Sequence, residues 1–158
     1  MTVGIITVSD RASAGEYEDL GGAALRAAAE DYGWQVAAEA VVPDDIDAIQ
    51  QAVRSFEAQG CALILTTGGT GIAPRDVTPE AIRGIMRVEV PGFGELMRMR
   101  SVEITPNAIL TRGLAAVVGQ ALVLALPGKP QGAVECLGFV RGALDHAVKL
   151  AQRVPTSC

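Results

Sequence analysis

The residues best suited to chemistry are concentrated between Thr66 and Asp76, where an apolar run, Cys61 to Leu65, delivers the backbone into two threonines and then Gly68, Gly69, Thr70 and Gly71. Glycines accept positive φ and carry no Cβ, so the main chain can curl there and let a ligand approach its N–H groups. Such a turn suits an anion. Arg75 adds a fixed positive charge, Asp76 a carboxylate able to hold a metal ion, and Pro74 and Pro79 stiffen the connection. Glycine clusters after strands are often plain turns, but Thr67, Thr70, Arg75 and Asp76 tip the reading towards a phosphorylated ligand with Mg²⁺. No Gly-Lys-Ser/Thr closes the loop, which excludes a Walker A site. No Gly-x-Gly-x-x-Gly is present, which excludes the dinucleotide fingerprint.

Further candidates lie elsewhere in the chain. Ser9, Asp10 and Arg11 follow the first apolar run, and Asp44 and Asp45 follow the second after Pro43. Asp44 reads equally as a helix cap or as a metal ligand, and Asp10 with Arg11 as a solvated loop pair or as part of a site. Pro127, Gly128, Lys129 and Pro130 form a second glycine- and proline-shaped turn, in which Lys129 is either an anion contact or a surface lysine. His146, the single histidine, sits among charged neighbours in a helical pattern and reads as solvated surface. Cys61, Cys136 and Cys158 are scattered and odd in number, without Cys-x-x-Cys spacing. They indicate neither a disulfide framework nor a zinc site, and a reducing cytosol fits them.

The elements that must position these groups alternate. A β-rich run, Val3 to Val8, leads through a loop over residues 12–18 to a helix from about Asp19 to Tyr32, with Leu20, Ala24, Leu25, Ala28 and Tyr32 on one face. Trp34 to Val42 reads as a strand. A helix follows with Ile46, Ile49, Val53 and Phe56 at helical spacing until Gly60. Past the glycine loop, Thr78 is expected to cap a short helix opened by Pro79, and residues 91–94 to break it before a new helix from Glu95 to Val102. The segment 101–112 has no clear period. Leu114 to Val118 and Ala121 to Leu126 read as a hairpin about Gly119 and Gln120, followed by a helix from about Gln131 to Arg153.

This order predicts an α/β fold: one three-layer domain over residues 1–158, with a mostly parallel sheet carrying an antiparallel edge. In such sheets ligands sit beyond the carboxyl ends of the strands, where Ser9 to Arg11, Asp44 and the glycine loop would converge. A length of 158 residues, 49% apolar and 20% charged, suffices for one well-packed core. A net charge of −5 argues against a nucleic-acid surface. The N-terminus runs directly into a strand pattern and no apolar stretch reaches membrane-spanning length, so no membrane role is expected.

Four ordered motifs, TTGGTGIAPRDVTPEA (66–81), PGFGELMR (91–98), TPNAILTR (105–112) and LPGKPQ (126–131), together with VSDRAS (8–13) and Pro43-Asp44, resemble the MogA/MoaB family of molybdenum-cofactor biosynthesis proteins over nearly the whole chain. The resemblance implies molybdopterin adenylyltransferase chemistry with ATP and molybdopterin as substrates and Mg²⁺ as cofactor. It implies catalytic and metal roles for Asp44 and Asp76, nucleotide binding by Gly68 to Gly71, and pterin contacts from Ser101, Thr105, Arg112 and the Pro127 to Gln131 turn. It also implies a cytoplasmic homotrimer, or a hexamer in the MoaB branch, with molybdate insertion left to a downstream protein. The alternatives are a MoaB-type scaffold that binds pterin but adenylates poorly, and a domain related to the amino-terminal part of competence-damage proteins.

Overall fold

The computed structural model describes residues 1–153, so the expectation for Cys158 lies outside the described residues. Six strands form one sheet in the order β2-β1-β3-β6-β5-β4. β1 (Thr2–Val8), β2 (Gln35–Val42), β3 (Leu63–Thr67) and β6 (Ala121–Leu126) are parallel, while β5 (Ala115–Val118) and β4 (Val88–Glu89) complete an antiparallel edge. The three central strands bury side chains on both faces, which explains their unbroken apolar runs. Val3, Ile5, Leu63, Leu65, Leu122 and Leu124 face one layer with residues of α2 (Leu20–Asp31), α5 (Pro91–Val102) and α6 (Pro130–Ala151). Ile6, Val8, Ile64 and Val123 face the other, with residues of α3 (Ile46–Ala58) and α4 (Thr78–Arg83). The expected three-layer arrangement with a mostly parallel sheet is therefore observed.

The path of the chain explains where a ligand site should lie. From β1 the chain passes through α2 on one face to β2 at the sheet edge, then crosses back through α3 on the other face to β3 on the far side of β1. β1 and β3 are neighbours whose following helices lie on opposite faces. That reversal opens a crevice above their carboxyl ends.

Several local expectations are corrected. Residues 10–13 form a helical turn, α1, capped by Ser9, whose Oγ accepts the N–H of Ala12. The buried face of α2 is Gly21, Gly22, Leu25 and Ala29, and Leu20 is exposed. Thr78 does not cap α4: it is the first helical residue, fully buried, and its hydroxyl donates to the Gly68 carbonyl. Residues 91–94 do not break a helix; Pro91 opens α5, where its lacking N–H costs nothing. The two-residue β4 was too short to give a period. The unreadable stretch contains a 3₁₀ helix, Pro106–Leu110. Gly119, at φ +57°, turns the expected hairpin. The Met97 side chain is core, whereas Met99 is exposed.

Candidate functional site

A cleft of about 270 Å³ occupies the crevice predicted by the strand order. β1 brings Thr7, Val8 and Ser9, β3 brings Thr67, Gly68 and Gly69, and the loops after β2, α1 and β6 bring Asp44, Asp19 and Gly128; Asp76 completes the wall. Asp44 and Asp76, 32 residues apart in sequence, thus face one space.

Three features fix Asp44. Asp45, not Asp44, caps α3: its Oδ1 accepts the N–H of Ala48 at 2.9 Å, which frees the Asp44 carboxylate from the capping role. Asp44 and Asp10 then hold one another reciprocally. The Asp10 N–H donates to Asp44 Oδ2 (2.9 Å) and the Asp44 N–H donates to Asp10 Oδ1 (3.0 Å). Finally, a Cβ on Gly69 would stand 3.1 Å from Asp44 Oδ1, so the glycine leaves the space in front of that oxygen. Burial, partly offset by the Asp10 N–H and reinforced by the charges of Asp10 and Asp76, raises the Asp44 carboxyl above the usual aspartate value. A carboxylate in that position gains from a cation. Asp76 Oδ2 accepts the N–H of Ala73 at 2.8 Å.

The glycine loop is required by its path. Gly68 has φ +105°, and a Cβ there would run into the Val8 carbonyl oxygen; Gly69 has φ +62°, and a Cβ there would strike the Thr78 hydroxyl. The N–H of Gly68 is committed to the Leu126 carbonyl. Among the described residues no protein group accepts the N–H of Gly69, Thr70 or Gly71. Those three N–H groups, rather than that of Gly68, remain for an anion. Gly21, at the start of α2, lets that helix come within 3.2 Å of Thr67 Cγ2, measured from where its Cβ would be, which explains the glycine pair in a helix otherwise weakened by it.

A second, more apolar cleft adjoins the first and shares Gly128 with it. Thr70, Gly71, Ser101, Thr105, Pro127, Gly128 and Lys129 line it, and of these the resemblance implies pterin contacts for Ser101, Thr105 and the turn from Pro127. The Thr67 hydroxyl donates to the Pro127 carbonyl at 2.7 Å and ties the two turns together.

Other expected contacts are placed differently. Asp10 and Arg75 spend their charge on each other through a two-bond pair (2.9 and 2.8 Å), which lowers the Asp10 carboxyl below its usual value. Neither lines the first cleft. The Arg11 guanidinium lies over the Tyr17 ring at 5.3 Å, and Pro130 opens α6 outside both clefts. Arg112 lines neither cleft: its N–H and guanidinium reach back onto the glycine loop and Glu80. His146 is exposed on α6, as expected. The sequence reading missed Asp19, which caps α2 through the Gly22 N–H, accepts the Thr7 hydroxyl and faces the first cleft. An aspartate just before a helix that begins Leu-Gly-Gly was the available signal. It also missed Cys136, buried behind the second cleft against Ser101 Oγ at 3.4 Å; an apolar helix position gave no hint of that.

Among the described residues no group of three or more His, Cys, Asp or Glu side chains is arranged to hold a metal ion. Of the aspartates that line the first cleft, Asp19 is committed to Thr7 and Gly22, while Asp44 and Asp76 offer hard oxygen donors. They fit Mg²⁺, which is commonly held by one or two carboxylates together with substrate phosphates and water.

Comparison with known proteins bears on the family and on the fold. A family model described as "Probable molybdopterin binding domain" matches residues 4–146. A Helicobacter pylori protein named molybdopterin adenylyltransferase is 41% identical over 151 residues, covering 94% of this chain and 86% of that relative. The Escherichia coli K12 protein of the same name is 39% identical over 157 residues, covering 94% and 77%. A crystal structure from Thermus thermophilus, described as the molybdopterin biosynthesis enzyme MoaB, superposes with a TM-score of 0.90 at 45% identity and covers 99% of each chain.

Proposed function

The chain belongs to the family of molybdenum-cofactor biosynthesis domains described as molybdopterin-binding, and from that membership we propose that it is a molybdopterin adenylyltransferase. It transfers AMP from ATP to the terminal phosphate of molybdopterin. An oxygen of that phosphate forms a bond to the α-phosphorus of ATP while the bond from the α-phosphorus to the bridging oxygen breaks, giving adenylyl-molybdopterin and pyrophosphate. The observation that carries the reading is the pairing of Asp44 and Asp76 in one cleft beside unclaimed loop N–H groups, with an adjoining second cleft. The nucleotide belongs to the first and the pterin to the second.

Such a transfer asks the protein for alignment and for neutralisation of charge on the departing pyrophosphate; it asks for no nucleophilic side chain. In this reading the N–H groups of Gly69, Thr70 and Gly71 bind phosphate oxygens, and Ser101, Thr105 and Lys129 orient the pterin. Asp44 and Asp76 would hold Mg²⁺, which would supply positive charge to the triphosphate. The chain works as a single domain, in the cytoplasm, as a homo-oligomer whose product passes to a molybdate-inserting protein. The described helices include none long and apolar enough to cross a membrane.

Asp76→Ala tests the reading. Loss of a carboxylate that would hold the cation should slow AMP transfer about 100-fold or more, the equivalent of several kcal/mol, while pterin affinity changes little. Transfer of labelled AMP from ATP to molybdopterin, followed beside pterin binding, is the measurement. Normal turnover in Asp76→Ala removes the residue's role. A second reading, a MoaB-type protein that holds pterin without adenylating it, draws on the likeness to the Thermus structure. Absence of AMP transfer by the unaltered protein, with pterin binding intact, would select it.

A further inference from the structure

We propose that Arg112 is a positioning residue for the transfer, one that touches neither substrate and sets the shape of the loop from Thr70 to Asp76. The inference rests on the adenylyltransferase reading for its kinetic consequence and on geometry alone for the clamp.

One residue holds three carbonyls of that loop. The Arg112 N–H donates to the Thr70 carbonyl (2.7 Å), Nε to the Gly71 carbonyl (2.7 Å) and Nη2 to the Asp76 carbonyl (2.6 Å), while Nη1 is paired with the Glu80 carboxylate. Every guanidinium nitrogen is therefore engaged by protein. The planar fork is what makes this possible, because a lysine ammonium has no fixed directions in which to span two carbonyls and a carboxylate.

The consequence follows from peptide geometry. All peptide bonds in the described chain are trans, and in a trans peptide the N–H points opposite to the carbonyl of the same unit. Holding the Thr70 and Gly71 carbonyls towards Arg112 turns the N–H groups of Gly71 and Ile72 away from it. Among the described residues neither has a protein acceptor. Holding the Asp76 carbonyl fixes the backbone from which the Asp76 carboxylate enters the first cleft. Arg112 comes from the segment just before β5, distant in sequence from both, so it locks the loop onto the rigid sheet. Besides this clamp the loop has the Arg75–Asp10 pair and the bonds between Ala73 and Asp76 within it, and Ile72, Ala73, Pro74 and Arg75 are exposed.

Arg112→Lys is the test, because it keeps the charge and loses the fork. The expected result is a fall in kcat of about 100-fold, with KM for ATP and for molybdopterin within about threefold. Backbone hydrogen exchange over residues 70–77 should quicken by about tenfold, while exchange in β3 and β6 is unchanged. In Arg112→Ala, added guanidinium ion at low concentration should restore turnover in a saturable way, which a role in global stability does not allow. A raised KM for molybdopterin with kcat unchanged would make Arg112 a substrate contact and overturn the proposal; so would unaltered exchange over 70–77. Glu80→Gln, which loosens the guanidinium from one side only, gives the same exchange readout should the Arg112 variants fail to fold. If the unaltered protein transfers no AMP, the parent function fails, and the exchange comparison still decides the clamp.

Discussion

At the scale of single residues, the type of each group was legible from the sequence and its partner was not. Asp10 and Arg75 both looked like site residues, and their charges cancel in a two-bond pair 65 positions apart in sequence. Asp44 and Asp45 were equivalent in the chain until one of them had to cap α3. Arg112 has the composition of a phosphate contact and the geometry of a brace. The same kind of pairing makes a prediction away from the site. Arg83 Nε and Nη2 hold the Glu89 carboxylate at 3.0 and 3.1 Å and thereby lower its carboxyl below the usual glutamate value. A folded-state value lowered in this way contributes stability that is present above the unfolded value and lost as pH falls through the folded one. Both side chains are partly exposed, so the contribution is screened and at most about 1 kcal/mol. Arg83→Met should therefore lower stability at neutral pH and narrow its gap to the unaltered protein as pH drops below the ordinary glutamate range. Urea unfolding across that range measures it, and a gap independent of pH contradicts the assignment.

At the scale of elements, periodicity revealed the strands and the long helices because their buried faces repeat, and it failed where an element is defined by its ends. β4 has two residues, α1 has four, and α5 begins with a proline that reads as a breaker unless its place at the first turn is known. Leu20 was assigned to the buried face of α2 on hydrophobicity, but the close packing of Gly21 and Gly22 against Thr67, Thr7 and Asp19 rotates the helix and leaves Leu20 out. The glycine loop was the most legible element, since only its backbone path explains the residues. Two glycines, one in that loop and one in the hairpin, differ in a way that can be tested. Gly68 needs φ +105° and has a backbone carbonyl where a Cβ would be. Gly119 needs φ +57°, and what a Cβ meets there is the movable end of Glu57. Gly119→Ala should cost about 1–2 kcal/mol, the ordinary left-handed penalty. Gly68→Ala should cost more, about 3 kcal/mol, because Val8 in the sheet cannot yield, and it should disable the first cleft as well. Denaturant midpoints of the two variants rank them; equal losses would mean the backbone path around Gly68 is softer than its contacts indicate.

At the scale of the whole molecule, the surface itself is informative. The clefts lie at one end of the sheet, where the strand order reverses, and sequence reasoning reached that location because alternating strands and helices force it. The 3₁₀ helix packed on α5 lay beyond such reasoning, since 101–112 has no period. α5, the 3₁₀ helix and the turn between them leave Leu96, Met99, Val102, Ile104 and Ile109 substantially exposed, with Ile109 at 70% and Met99 at 64%. A run of large apolar groups on two touching elements is more than the scattered exposure normal for a surface. The second cleft approaches this region, for Ile104 also lines it. If the protein works as a homo-oligomer, this face gains by being covered. Met99→Glu combined with Ile109→Glu should then shift the mass in sedimentation equilibrium from an oligomer, a trimer on the family expectation, to a single chain. The secondary structure should be retained, because neither side chain belongs to the core. An unaltered protein that sediments as a monomer would mean that no second copy covers this face, and a double variant that sediments as an undiminished oligomer would place the subunit contact elsewhere. The exposed apolar face would then have to be explained by the second cleft alone, and pterin affinity of the double variant would decide that.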